Sequence, residues 1–318
     1  TVGEPLHHAA RLNVRVVDNL CGGRLANLEH LKNEPRLTVD TRDIRLLPVE
    51  DSLYADVAIV LHYAGIGDIV PSIDHPIDYL STNVQGTVQV LEGCRHAKVQ
   101  KFVYAASSSC YGLATELPTT EKAPLQPQYP YALSKLMGEQ AVFHWHQVYG
   151  LPVNAIRIFN AYGTRSKTSG AYGAVIGVFL AQKLKGKPFT LVGDGTQRRD
   201  FVYVTDVAQA FIRAAESERQ VEIYNLGAGN PQSVNRLIEL LGGKTVGLPK
   251  REGEPDCTWA DISKIKAHLG WVQKVSFEEG IAEILKNIDY WKDAKVWDPE
   301  SIREATRGWF SALSSERK

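Results

Sequence analysis

Short runs of β-branched and apolar residues alternate along this chain with longer stretches in which apolar side chains return every three or four positions. The short runs read as strands at Val14–Val17, Leu37–Val39, Val57–Leu61, Lys101–Ala105 and Val153–Ile158. The longer stretches read as helices. Ile77, Leu80, Val84, Val88 and Leu91 define one helix with a single apolar face, and Tyr131 to Tyr149 a second. This alternation predicts an α/β protein with a parallel sheet covered by helices. From about Gly163 the pattern becomes irregular and richer in Gly and Pro, until a last amphipathic helix carries Phe277, Ile281, Ile284, Leu285 and Ile288.

At 318 residues the chain is near the size at which a single core stops growing, so two lobes are expected. Residues 1–165 form a nucleotide-binding lobe in this reading. Residues 166–318 form a smaller, loop-rich one, with segments around 200–230 returning to the first. Lys+Arg and Asp+Glu each number 36, a balance that argues against nucleic acid as the main partner. No apolar run approaches the roughly 18 residues of a membrane span, and no signal peptide is visible. Cys21, Cys94, Cys110 and Cys257 are far apart and form no CxxC pair, so neither a disulfide framework nor a metal site is expected. A reducing cytoplasm fits.

Candidate chemistry begins at Asp18, which ends the first strand run. In a dinucleotide-binding sheet an acid at this place accepts hydrogen bonds from the adenosine ribose and favours NAD over NADP, although an Asp after a strand is also a common turn former. The glycine fingerprint that accompanies such an acid lies about 20 residues earlier. That position falls ahead of Thr1, and the only methionine is Met137, so a first strand and glycine-rich turn are expected to be missing from this sequence, by processing or truncation. Asp43-Ile44 and Tyr63-Ala64-Gly65 follow the next strand runs, where parallel sheets place ligands, though each also reads as an ordinary turn.

The most specific signal is Tyr131-Ala-Leu-Ser-Lys135, preceded by Ser107-Ser108-Ser109-Cys110-Tyr111-Gly112 just past a strand. Positions i and i+4 share a helix face, so Tyr131 and Lys135 can act together. A tyrosinate base at neutral pH needs about three pH units of depression from about 10, or about 4 kcal/mol. A neighbouring ammonium and a cationic nicotinamide would favour the charged form. A serine hydroxyl from the preceding loop would hydrogen-bond the reacting oxygen.

With these motifs in order, the chain resembles the extended short-chain dehydrogenases/reductases, and among them the UDP-sugar 4-epimerases. The resemblance runs from Val14 to about Tyr290. It includes Val16-Val17-Asp18-Asn19-Leu20, Asp43-Ile44-Arg45, Asn83-Val84-Gln85-Gly86-Thr87, Arg157-Ile158-Phe159-Asn160-Ala161-Tyr162-Gly163, Arg199-Asp200-Phe201 and Arg251-Glu252-Gly253-Glu254-Pro255. It implies a Rossmann-type fold and NAD as a resident cofactor, held by Asp18, Asn19, Asp43, Ile44, Tyr63, Ala64, Gly65, Asn83, Tyr131 and Lys135. It makes Ser107 the catalytic hydroxyl, Tyr131 the base and Lys135 its partner. A UDP-sugar is then held by Ser108, Ser109, Asn160, Arg199, Arg251, Glu254 and Thr258. Arginines suit a pyrophosphate because their planar fork bonds it bidentately; Arg199-Asp200 also reads as a surface ion pair. Thr258 (Cys257 if the loop is shifted by one) would face the sugar 2-position, where a small side chain admits N-acetyl groups unless Trp259 fills the space. Dehydratases of the superfamily carry an Asp-Glu pair after the catalytic hydroxyl. Here Ser108 and Ser109 stand there, which disfavours dehydration. Decarboxylation of a sugar acid and a non-catalytic nucleotide-binding role remain as alternatives. The helices at 77–91 and 131–149 resemble a pair that forms a four-helix interface, so a two-fold homodimer is expected.

Overall fold

A computed structural model describes residues 12–166, 175–250 and 254–313. The apolar runs become parallel strands: β1 (Val14–Val17), β2 (Leu37–Asp40), β3 (Ile59–His62), β4 (Lys101–Ser107) and β5 (Val153–Ile158). β3, β4 and β5 pair in that order, and a later strand, Glu222–Leu226, adds beside β5, also parallel. Phe102 lies opposite Val153, and Ile156 opposite Tyr224. All seven residues of β4 are buried, as a strand covered on both faces must be. β1 and β2 pair with each other in parallel and with no other described strand. The Arg15 guanidinium ties this pair to the main sheet by donating to the carbonyls of Leu53 (2.8 Å) and Ala55 (2.5 Å), in the turn leading to β3.

The period-two alternation of side chains sorts β4 between two cores. Phe102, Tyr104 and Ala106 join Val90, Leu91 and Val142 on one face, against the helices Gly86–His96 and Pro130–Tyr149. Val103 and Ala105 join Val207, Phe211, Tyr224 and Trp271 on the other, under the helix Val204–Glu216. Residues between Val202 and Leu226, and a later stretch from Ala260 to Trp271, therefore help to build the second face. A third core, with Phe179, Phe189, Leu237, Ile281, Trp291 and Trp297, holds the later lobe together.

Two elements differ from the sequence expectation in ways that bear on the site. β4 runs on to Ser107, two residues past the predicted end, which puts the serine at the tip of a rigid strand. The helix expected over 77–91 is two helices, Pro76–Leu80 and Gly86–His96, joined by a π-helical segment Ser81–Gln85. Its buried stripe is Tyr79, Asn83, Thr87, Val90, Leu91 and Cys94, whereas Ile77 is 78% exposed. The widened turn sends the polar Asn83 inward, a distortion common where a helix serves a site.

The Pro130–Tyr149 helix is bounded as its sequence dictates. Pro130 sits at its first turn, where a missing N–H costs nothing, and Gly150 closes it in the left-handed conformation (φ 72°), donating to His146 O at 2.8 Å.

Candidate active site

Strand β4 and the Pro130–Tyr149 helix bring the predicted catalytic residues together. Tyr131 Oη donates to Ser107 Oγ at 3.3 Å, and Ser107 Oγ also accepts from Ser109 N–H at 3.2 Å, capping the tight turn Ser108–Tyr111. Lys135 follows one turn after Tyr131 on the same helix and is buried. Its ammonium lies 4.4 Å from the centroid of the Tyr104 ring. Burial holds it down at about 8, against an ordinary 10.5, with Glu139 one turn further on pulling the other way. In the protein alone the Tyr131 phenol is not lowered as the sequence reading requires. Burial pushes it above its ordinary 10, and the Ser107 hydrogen bond offsets part of that rise. The physical reason is that a buried phenol loses hydration of its anion, so additional positive charge must arrive to make it a base.

Asn83 organises this corner. Its side chain accepts from Ile66 N (2.7 Å) and donates to Ile66 O (3.1 Å) and Ser134 Oγ (2.9 Å), and the Ser134 hydroxyl donates to Tyr131 O (2.8 Å). All three amide bonds go to protein, so Asn83 positions the loop after β3 against the catalytic helix. Gly65 lies in that loop. A Cβ added there would stand 2.9 Å from Asn83 Oδ1 and 3.8 Å from Lys135 Nζ, so only glycine lets the backbone come this close. Ala64 packs into the core beside it, and the Tyr63 ring turns instead to Phe211, centroids 4.4 Å apart.

In the separate two-stranded sheet, Asp18, Asn19 and Asp43 lie just past the carboxyl ends of β1 and β2. Asn19 Nδ2 donates to Asp43 Oδ2 at 2.9 Å, and Asp18 Oδ1 accepts from Leu20 N–H at 2.7 Å, which closes its own turn. Asp43 is also paired with Arg45 at 2.6 Å, which holds its carboxyl well below the usual range. Its oxygens are thus already engaged. Ile44 is buried against Gly86, so its side chain serves the core. The residues present fit the two ends of a dinucleotide. Asp18 closes its own turn with Oδ1 and sets Oδ2 against Gly23, which has no side chain to obstruct it, while Gly65, Lys135 and Tyr131 place a closely approaching backbone, a cation and a phenol at the other end.

A cleft of about 480 Å³ opens from Ser107, Ser108, Ser109 and Tyr131 toward the later lobe. Asn160, Arg199, Glu254 and Thr258 line its other wall. Thr258 Oγ1 donates to Asn160 Oδ1 (2.8 Å) and accepts from Asp200 N–H (3.2 Å), which fixes its side chain at the cleft. Trp259 points away and donates to Gly229 O at 3.1 Å, so it does not fill the space beside Thr258. Arg199 Nη1 donates to Pro255 O (2.8 Å), and Nη2 stands 3.8 Å from Glu254. The alternative of an Arg199–Asp200 surface pair is overturned. Asp200 is fully buried and accepts from the N–H groups of Ala228 (2.7 Å), Gly229 (3.0 Å) and Ala260 (2.9 Å), stitching three loops together. Arg251 lies outside the described residues. Tyr129 and Trp309 also line the cleft and were not legible beforehand: Tyr129 neighbours the Tyr131 motif without a pattern of its own, and Trp309 is distant in sequence.

A half-buried tyrosine and a buried lysine beside a serine at the end of a parallel strand are the arrangement of a Rossmann-type short-chain dehydrogenase/reductase fold. The family model described as NAD dependent epimerase/dehydratase family matches residues 5–227, and the chain belongs to that family. It is 31% identical over 283 residues to the UDP-glucose 4-epimerase of Mycolicibacterium smegmatis, covering 85% of this chain and 88% of that one. Among solved structures it is similar to the UDP-glucuronic acid 4-epimerase of Bacillus cereus in complex with UDP-glucuronic acid and NAD (TM-score 0.82, 29% identity, 91% and 94% of the two chains). It is also similar to the UDP-N-acetylglucosamine 4-epimerase of Methanobrevibacter ruminantium in complex with UDP-N-acetylmuramic acid (TM-score 0.81, 28% identity, 86% and 91%).

Proposed function

We propose that the protein is an NAD-dependent UDP-sugar 4-epimerase, an isomerase that oxidises its substrate transiently at C4 and returns the hydride to the opposite face. The observation that carries this reading is the Tyr131–Ser107 hydrogen bond at the mouth of a cleft whose far wall carries Arg199. NAD, when bound, takes up the hydride and gives it back. Tyr131 accepts the proton of the C4 hydroxyl as the carbonyl forms, and Ser107 holds the reacting oxygen by a hydrogen bond. Lys135 supplies the positive charge that favours the tyrosinate. Arg199, with Arg251, holds the diphosphate, and Asn160, Glu254 and Thr258 shape the sugar and nucleotide wall. Ser108 and Ser109 cannot act as the acid–base pair that water elimination needs, so the 4-keto sugar is reduced again without dehydration.

Among the described residues no helix is long and apolar enough to cross a membrane. The working form is a cytoplasmic homodimer in this reading. Its support is an apolar strip on the two helices flanking the site, with Ile77 78%, Leu133 43% and Met137 38% exposed. Burying such a strip against its own copy is the common route to two-fold dimers. Light scattering at micromolar concentration then gives about twice the 35.2 kDa chain mass, and a monomer mass refutes the dimer. The function itself is tested by incubating the protein and NAD with UDP-glucose, UDP-N-acetylglucosamine and UDP-glucuronate and following the sugars by NMR. Formation of the 4-epimer of at least one, lost in Tyr131→Phe, supports the reading; release of a decarboxylated or dehydrated sugar refutes it.

A further inference from the structure

A buried ion pair joins the catalytic helix to β5, and the chemistry described so far makes no use of it. Arg157, on β5, donates from Nε to Glu139 Oε2 (2.9 Å) and from Nη2 to Glu139 Oε1 (2.6 Å), with the two side chains 2% and 5% exposed. Neither residue lines the cleft. The remaining guanidinium nitrogen, Nη1, donates to Tyr111 Oη (2.8 Å), which donates in turn to Asn225 Oδ1 (2.7 Å) on the strand Glu222–Leu226. Tyr111 ends the short turn that begins after Ser107. One chain of hydrogen bonds therefore runs from the helix of Tyr131 and Lys135, through β5, to the turn of the serines.

Two buried charges are a poor source of stability, because their attraction does little more than offset their lost hydration. A bidentate fork does supply fixed geometry. The pair meets the catalytic set at two points. Glu139 follows Lys135 by four residues, so the two side chains share a helix face, and its carboxylate is the charge that favours the Lys135 ammonium against burial. Three other titratable groups near that ammonium are neutral at pH 7. His62 from β3 is held down at about 3 by burial, and burial pushes up both Tyr104 from β4 and Tyr131 on the same helix. The second point is Tyr111, through which the guanidinium reaches the serine turn.

We propose that the Glu139–Arg157 pair is a positioning element of the catalytic site: its carboxylate holds the Lys135 ammonium in place, and its guanidinium, through Tyr111, holds the turn that presents Ser107 to Tyr131. The consequence for turnover rests on the epimerase reading above.

Glu139→Leu/Arg157→Met removes both charges together, so neither is left buried and unpaired, and Tyr111→Phe removes a single hydroxyl. Each full-length protein is labelled with 13C at the lysine ε-carbon. The Lys135 resonance, identified by its absence from Lys135→Met, is followed by NMR between about pH 5 and 10 without NAD or substrate. In the wild type it titrates at about 8. In the double variant it titrates about one pH unit lower, the scale of one nearby charge, while the melting temperature stays within about 5 °C. In Tyr111→Phe the Lys135 midpoint is unchanged. In both variants kcat falls roughly tenfold and KM stays within about twofold, because geometry at the reacting oxygen is lost and the cleft is not. An unchanged or raised Lys135 midpoint in the folded double variant overturns the proposal, as does wild-type kcat in Tyr111→Phe. A fall in kcat that only tracks a fall in melting temperature also overturns it and leaves the pair a structural one. If the double variant does not fold, Tyr111→Phe decides alone. Wild-type protein that turns over none of the three UDP-sugars refutes the functional reading instead, and the Lys135 titration still decides whether the pair acts on the lysine.

Discussion

Replacing Lys135 by methionine is expected to abolish turnover and at the same time to stabilise the fold. In the folded chain burial brings the proton affinity of Lys135 down to about 8, whereas the unfolded chain keeps the ordinary 10.5. At neutral pH the ammonium is charged in both states, so folding carries the cost of burying it. Each tenfold change in proton affinity is worth about 1.4 kcal/mol, which makes that cost roughly 3 kcal/mol. Methionine fills a similar volume without charge but gives up the contact with the Tyr104 ring, worth about 1 kcal/mol. The net gain is then about 2 kcal/mol at pH 7. With an unfolding entropy of about 2.1 cal/mol/K per residue, this corresponds to a Tm higher by about 3 °C. The sign changes with pH in a defined way. Because the folded-state value is depressed, the penalty is fully present below about 8 and disappears as pH rises toward 10.5, where the unfolded chain also loses the proton. The advantage of the variant must therefore shrink between pH 8 and 10.5. Calorimetric or urea unfolding of both proteins at pH 7, 9 and 10.5 checks this. A variant that is less stable at pH 7, or a gain that stays constant across the series, refutes the argument that the lysine is held at the site against its own solvation.

Two further substitutions test the reacting group and the sugar wall. Tyr131→Phe removes one hydroxyl from a helix that is otherwise intact, so turnover falls by several orders of magnitude while the melting curve is retained; near-normal epimerisation would remove Tyr131 as the base. Thr258→Tyr overpacks the cleft at a cost of about 1–3 kcal/mol, lowering kcat/KM for UDP-N-acetylglucosamine relative to UDP-glucose about tenfold. Thr258→Val keeps the volume but loses the bonds to Asn160 and the Asp200 N–H, so it separates size from hydrogen bonding; an unchanged ratio in the tyrosine variant rules Thr258 out as the gate.

The strands, the catalytic helix and the Ser107/Tyr131/Lys135 set were legible in the sequence because each rests on a local regularity. Period-two burial, a proline at the first helical turn and i, i+4 spacing are fixed by backbone geometry alone. What the sequence could not decide was where side chains spend their hydrogen bonds. Asp43 and Asn83 carry the residue types of cofactor ligands, yet their polar atoms are taken up by Arg45 and Asn19 in one case and by Ile66 and Ser134 in the other. Asp200 looked like half of a surface pair and is instead a buried knot of backbone N–H groups. Ile77 of the expected apolar face lies outward, because the buried stripe runs instead through Tyr79, Asn83 and Thr87, a choice made by what packs against the helix. Trp309 borders the cleft, packed against Tyr129, only because the chain folds its last helices back over residues more than 170 positions earlier. Contacts of that separation depend on how the lobes close on each other, and the proton affinities of Tyr131 and Lys135 depend on the burial that results. Local pattern names the chemistry; packing decides which groups remain free to perform it and at what electrostatic cost.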